Sequence, residues 1–126
     1  MALRNRITQE RADTLYVNLM AWLIHQSRYR THDCLQASAA KALGVSVFTL
    51  SAAIKQSTGH SYSDIVNRLR LRDACVMLAD NKFADTSAEY IGLLVGYASR
   101  QAFYTAFARL HNVTPKQYRQ LHSPTH

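Results

Sequence analysis

Residues 96–119 read GYASRQAFYTAFARLHNVTPKQYR, and residues 44–65 read GVSVFTLSAAIKQSTGHSYSDI. The first string answers the second in kind. Ser46, Leu50, Ile54, Gly59, Ser61 and Ile65 recur 53 positions later as Ser99, Phe103, Phe107, Asn112, Thr114 and Tyr118, with no gap. The order has a physical meaning. A hydroxyl that caps a helix N-terminus comes first. Two apolar residues follow at four and eight positions, on one helical face. Next comes a residue that tolerates the left-handed conformation that stops a helix. A second hydroxyl cap and an apolar residue four beyond it close the series. A Gly-containing turn precedes each copy, at Gly44-Val45-Ser46 and Gly96-Tyr97-Ala98-Ser99. Helix, tight turn, helix is the order of a helix-turn-helix, here present twice.

Outward from these copies the periodicity stays helical. Leu15, Leu19, Trp22 and Leu23 predict an amphipathic first helix over roughly 9–28, with Trp22 in the core. Tyr29 to His32 breaks the pattern. Asp33 then caps a second helix whose inward face is Leu35, Ala39, Ala42 and Leu43, ended by Gly44. Ser46 opens the third helix, with Leu50, Ala53 and Ile54 inward. A longer fourth helix runs from about Tyr62 to Ala79, burying Ile65, Val66, Leu69, Val76 and Met77. Thr86 to Glu89 reads as a Thr-x-x-Glu capping box opening a fifth helix. Ser99 caps the sixth, which buries Phe103, Phe107 and Leu110. Thr114-Pro115-Lys116-Gln117 combines a cap, a Pro at the first helical position and a Gln at the third, and starts a short seventh.

The expectation is an all-α chain of about seven helices in two helix-turn-helix lobes. Residues 9–60 form the first lobe, 61–80 a bridging helix and 81–121 the second, with 1–8 and 122–126 as flexible termini. Four Gly and two Pro in 126 residues argue against a turn-rich β fold. No run of eighteen apolar residues occurs, so no membrane contact is expected, and Met1 to Arg11 lacks a signal peptide's apolar core. Cys34 and Cys75 read as separate thiols of a cytoplasmic protein rather than a disulfide.

Net charge is +7, and all eight acids lie at or before Glu89. From Tyr90 onward only Arg100, Arg109, Lys116 and Arg119 carry charge, apart from histidine. A stretch basic without relief suits phosphate, and two helix-turn-helix units beside it point to DNA. No nucleophile–base pair or Gly-rich phosphate loop presents itself, so an enzyme is not expected, nor a cofactor. His122 and His126 share a helix face but have no third ligand nearby, so no metal is expected either.

The run Gly96-Tyr97, Ser99, Phe103, Phe107, Thr114-Pro115 and Tyr118-Arg119 resembles the signature of the AraC/XylS transcription regulators. Ala40, Leu43, Val45-Ser46, Leu50-Ser51, Gly59, Arg70 and Ala74 fall where that pattern expects them, so the likeness runs from about Leu19 to Arg119. It implies a two-lobed DNA-binding unit whose third and sixth helices enter adjacent major-groove segments. A bridging helix of about 18 residues spans roughly 27 Å. That approaches one turn of B-DNA, about 34 Å, if the DNA bends modestly or the helices tilt.

By this resemblance the base-facing residues on the sixth helix are Arg100, Gln101, Tyr104 and Thr105. The chemistry agrees, since Arg pairs with guanine O6 and N7 and Gln with adenine N6 and N7. The matching positions on the third helix are Phe48, Ser51 and Ala52, a set poorer in hydrogen bonds that adds affinity more than sequence information. Lys55, Lys116 and Arg119 are phosphate candidates, with the cap residues Ser46 and Ser99 at helix starts. Arg70 reads as structural, paired with Asp73 or Asp64. The implied function is a sequence-specific double-stranded-DNA-binding regulator, an activator acting with RNA polymerase. Whether it stands alone or serves as the output domain of a fused or separate sensor stays open. The alternative is a protein–protein regulator that binds its partner through the third helix.

Overall fold

The computed structural model describes residues 7–123; His126 and residues 1–6 of the expected flexible termini lie outside them. Among the described residues there are seven α-helices and no strand. They are α1 (Gln9–Ile24), α2 (Gln36–Leu43), α3 (Val47–Thr58), α4 (Tyr62–Ala79), α5 (Ala88–Leu94), α6 (Arg100–His111) and α7 (Pro115–His122). Two compact units divide inside α4: residues 7–28 with 33–66, and residues 29–32 with 67–123.

In the first unit, Thr8 caps α1 by accepting from the Arg11 amide. Ala12, Leu15, Leu19 and Leu23 are buried on one stripe. Leu50, Ala53 and Ile54 of α3 are fully buried too. Ser57 Oγ donates to Asp13 at 2.6 Å and Gln56 Nε2 to the Ile7 carbonyl at 2.8 Å, fastening α3 along α1. The first helix stops earlier than its periodicity suggested, because Gln26 and Ser27 turn to φ 56° and 52°. Trp22 is only half-buried, with the Arg28 guanidinium 4.7 Å over its ring. Asp33 does not cap α2. That helix starts at Gln36 after Leu35, which supplies no side-chain cap bond. Leu35 therefore lies outside the helical stripe and is 59% exposed, while within α2 Ala39 and Ala40 are buried, Leu43 is half-buried and Ala42, on the flank, is exposed. Cys34 and Cys75 are free thiols, and Cys34 lies buried against the Tyr62 hydroxyl.

The second unit is built on Leu71, Ala74, Leu78, Ala88, Ile91, Val95, Tyr97, Phe103 and Phe107. Val76 and Leu110, expected inside, are 64% and 40% exposed. Each lies on the flank of its helix, beyond the stripe that the fully buried neighbours occupy. Arg70 is structural as expected, but its partners are neither Asp73 nor Asp64. It donates to the carbonyls of Tyr29 at 2.6 Å and Thr31 at 2.8 Å, with its guanidinium 5.2 Å over the Tyr97 ring. Asp73 instead takes Arg30, at 2.8 Å, and the Tyr29 hydroxyl. These bonds dock segment 29–32 into this unit. Burial pushes the Tyr97 hydroxyl, which donates to Asn67, up to about 12.

The repeat is realised position by position. α3 and α6 are each 12 residues long, opened by Ser46 and Ser99, whose hydroxyls accept from the Thr49 and Ala102 amides. Gly59 and Asn112 stop them in the left-handed conformation, at φ 79° and 62°. Leu50 with Ile54, and Phe103 with Phe107, are the fully buried pairs between cap and stop.

Candidate nucleic-acid interface

α6 owes its place to two rings. Phe103 and Phe107 meet edge to face at 5.8 Å, and Phe107 meets Tyr118 of α7 at 5.6 Å. With that face fixed in the core, Arg100, Gln101 and Thr105 stand exposed on the other side. The capping box of α7 is present in full, Thr114 accepting from the Gln117 amide while the Gln117 side chain accepts from the Thr114 amide. It leaves Lys116 exposed in the first turn.

Tyr104 departs from the outward set. It is half-buried, packs edge-on against Phe103 at 5.9 Å, and donates its hydroxyl to Glu89 Oε2 at 2.6 Å. Arg100 stacks its guanidinium 4.5 Å over the Tyr104 ring and places Nε 3.4 Å from the same carboxylate oxygen. Lys116 Nζ lies 3.8 Å from that oxygen. Three of the predicted DNA-facing side chains therefore converge on one acid. The Tyr104 hydroxyl first, then the backbone amide of Glu89 itself, and after them Arg100 and Lys116, hold the Glu89 carboxyl down at about 2 against partial burial. Burial, with the Glu89 charge behind it, raises the Tyr104 hydroxyl.

Sequence reasoning missed Glu89 because it assigned that carboxylate to a capping box. The cap of α5 is Ser87, which accepts from the Tyr90 amide at 3.0 Å, so Glu89 is free to turn toward α6. One signal was present: Glu89 is the last acid in the chain, ahead of a purely basic stretch.

Arg119 is not presented like Lys116. It is half-buried, donates through Nη2 to the Phe83 carbonyl at 3.2 Å, and keeps Nε buried without a hydrogen-bond partner among the described residues. In the first unit, Phe48 is 66% exposed, Ser51 is exposed and Ala52 is half-buried. Lys55 donates to the Gly59 carbonyl at 3.0 Å, within the stop of its own helix. The cap residues Ser46 and Ser99 are exposed at the starts of α3 and α6. Among the described residues no cluster of three His, Cys, Asp or Glu could hold a metal. His122 ends α7 stacked on Tyr118 at 4.1 Å. No single helix among the described residues is long and apolar enough to cross a membrane.

The chain is similar to known proteins in sequence and fold. A family model described as "Helix-turn-helix domain" matches residues 39–121. The xylose operon regulatory protein of Escherichia coli (strain K12) is 28% identical over 119 residues, 90% of this chain and 30% of that protein. The HTH-type transcriptional activator RhaS of Salmonella arizonae is 33% identical over 102 residues, 81% of this chain and 34% of that protein. The chain thus spans about a third of the length of the curated relatives it matches. Among solved structures, the C-terminal domain of AraT, a response regulator from Geobacillus stearothermophilus, superposes with TM-score 0.76 at 27% identity. That match covers 88% of this chain and 87% of the AraT domain. An AraC-type DNA-binding-domain protein from Chromobacterium violaceum shares the fold at TM-score 0.73 and 23% identity, covering 90% of this chain and 96% of that one. The matched span contains both copies of the cap-and-stop frame, and by it the chain belongs to the AraC-type helix-turn-helix family, whose fold is that of DNA-binding transcription regulators.

Proposed function

We propose that this chain binds double-stranded DNA sequence-specifically and regulates transcription, with α3 and α6 as its two reading helices. The observation that carries the reading is the division of α6 into two faces. Phe103 and Phe107 are fully buried, while Arg100, Gln101 and Thr105 are exposed and chemically suited to base edges. Lys116 supplies a phosphate contact at the start of α7, where the helix dipole favours an anion. Lys55, Ser46 and Ser99 add phosphate contacts at the ends of α3 and α6. Arg119 joins them only by leaving the Phe83 carbonyl. Phe48, Ser51 and Ala52 of α3 touch thymine methyls and sugar edges and contribute affinity more than discrimination. The site of action is the cytoplasm.

The relative named a transcriptional activator favours activation beside RNA polymerase over repression. The likeness to the C-terminal domain of a response regulator favours the output-domain arrangement, in which a sensor controls this part. The rival reading is a protein partner seated on α3. It is favoured by the exposure of Phe48, at 66%, beside Val47, at 44%. One titration separates the two. Binding to random duplex through several phosphates weakens linearly in log salt, by a slope near −0.9 per phosphate neutralised. A flat salt response, with no fragment enriched from a genomic selection, would sink the DNA reading and leave the protein-binding one.

A further inference from the structure

We propose that Glu89 is a specificity-setting positioning residue for DNA: it fixes Arg100 in a guanine-reading pose and opposes indiscriminate phosphate binding. The inference rests on the DNA-binding reading and says which side chain makes α6 selective. An arginine on an exposed helix face has several rotamers, and freezing one of them on binding costs conformational entropy. Arg100 is restrained on two sides before any DNA arrives. Its guanidinium lies 4.5 Å over the Tyr104 ring, and Nε lies 3.4 Å from Glu89 Oε2. With Nε occupied, Nη1 and Nη2 form the free edge of the fork. That edge makes the paired contact with guanine O6 and N7. Tyr104 is held in turn, its hydroxyl on the same carboxylate oxygen at 2.6 Å and its ring edge-on to the fully buried Phe103. The chain of restraint runs from the core to the reading edge.

The charge of Glu89 works in the same direction. With Lys116 Nζ 3.8 Å away, the acid offsets one of the cations that would attract any phosphate. Phosphate attraction carries no sequence information, so weakening it raises the share of binding that base edges decide. The first copy of the repeat supplies a natural comparison. The turn before α6 is one residue longer than that before α3, so α2 and α5 correspond at an offset of 52: the Gly44 and Val45 amides bond the Lys41 and Ala40 carbonyls as the Gly96 and Tyr97 amides bond those of Leu93 and Gly92. The counterpart of Glu89 is thus Ala37, and those of Arg100 and Tyr104 are Val47 and Ser51. The first copy has neither the fork nor the ring, and at the matching position it has an alanine in place of the acid. The acid is present in the copy that has an arginine to position.

The test uses the full chain with Glu89→Gln, which keeps shape and removes charge, and Tyr104→Phe, which keeps the ring and removes the hydroxyl. A panel of duplexes first identifies the base pair whose preference disappears in Arg100→Ala. At that pair Glu89→Gln is expected to lose most of the preference, while affinity for random duplex rises severalfold and the melting temperature stays within a few degrees. Tyr104→Phe is expected to lose part of the same preference, and the double variant to lose no more than Glu89→Gln alone. Two outcomes overturn the proposal while leaving DNA reading intact: Arg100→Ala abolishes the preference but Glu89→Gln does not, or Glu89→Gln changes affinity for all sequences by one factor. If wild-type chain shows no base preference at all, both the proposal and the reading beneath it fall.

Discussion

Gly92 of α5 lies against the Phe103 ring of α6 so closely that a Cβ added to it would stand 2.5 Å from Phe103 Cδ2. The absent side chain is what lets the two helices of the second unit approach around a fully buried ring. Gly92→Ala should therefore destabilise the chain, although alanine favours a helix over glycine by about 1 kcal/mol. Phe103 is enclosed and cannot swing aside, so overpacking should dominate, at about 1–3 kcal/mol net. Gly59→Ala meets open space but must hold φ 79°, for a cost of about 1–2 kcal/mol. Urea unfolding of both variants checks the pair. A Gly92→Ala chain more stable than wild type would mean that the helices are not in this contact.

The two reading helices should respond unequally to truncation. Arg100→Ala should cost about 1–3 kcal/mol on the preferred site and relax the choice of base there. Ser51→Ala removes a single hydroxyl and should cost no more than about 1 kcal/mol. Quantitative duplex binding with matched and single-base-changed sites measures both. Equal losses would contradict the asymmetry between α3 and α6.

Lys116 and Arg119, three residues apart on α7, should separate cleanly. Lys116→Ala should weaken binding to all duplexes alike and flatten the salt slope by about one unit. Arg119 spends its guanidinium on the Phe83 carbonyl and keeps Nε buried, so Arg119→Ala should lower the melting temperature more than it changes the slope. Melting curves and salt titrations on the two variants give four numbers. An Arg119→Ala chain with unchanged melting and a flattened slope would put that guanidinium back on phosphate.

Acid should undo part of the second unit's order. The Glu89 carboxyl is lowered from 4.5 to about 2 in the folded chain, first by the Tyr104 hydroxyl. A depressed carboxyl adds stability that is present above its unfolded pKa and lost as pH falls toward the folded one. The stability gap between wild type and Glu89→Gln should thus be widest above about pH 5 and close between pH 4 and 2. Thermal melts across that range measure it. A gap that stays constant down to pH 2 would show that the charge of Glu89 contributes nothing.

Much of the fold was legible because its punctuation is local. A serine at a helix start, a Gly or Asn at a left-handed stop and a Pro after Thr114 each act within one turn of chain, so α3, α6 and α7 could be placed from sequence. What sequence could not resolve was competition between equivalent local signals. Thr86 and Ser87 both offer a cap for α5. Ser87 serves because it sets Ala88 and Ile91 facing the core, and that choice releases Glu89. The partner of Asp73 was likewise hidden. Arg30 reaches it only because Gln26 and Ser27 adopt positive φ, which no glycine announces. At the candidate site the exposed chemistry of α6 could be read from periodicity. The restraint of Arg100 and Tyr104 could not, since it depends on a side chain from another helix.

The matched lengths, caps and stops of α3 and α6 make the sixth helix's surface a transplantable cassette. Residues 47, 48, 51 and 52 occupy the same register as Arg100, Gln101, Tyr104 and Thr105, with the buried pair, cap and stop outside the graft. A designer who moved only those four side chains would install a fork and a ring with no acid to hold them. Adding Ala37→Glu to the graft would supply the fifth member, at the register position Glu89 occupies in the second copy. The portable quantity is five side chains drawn from two helices, and retargeting one half-site means carrying all five.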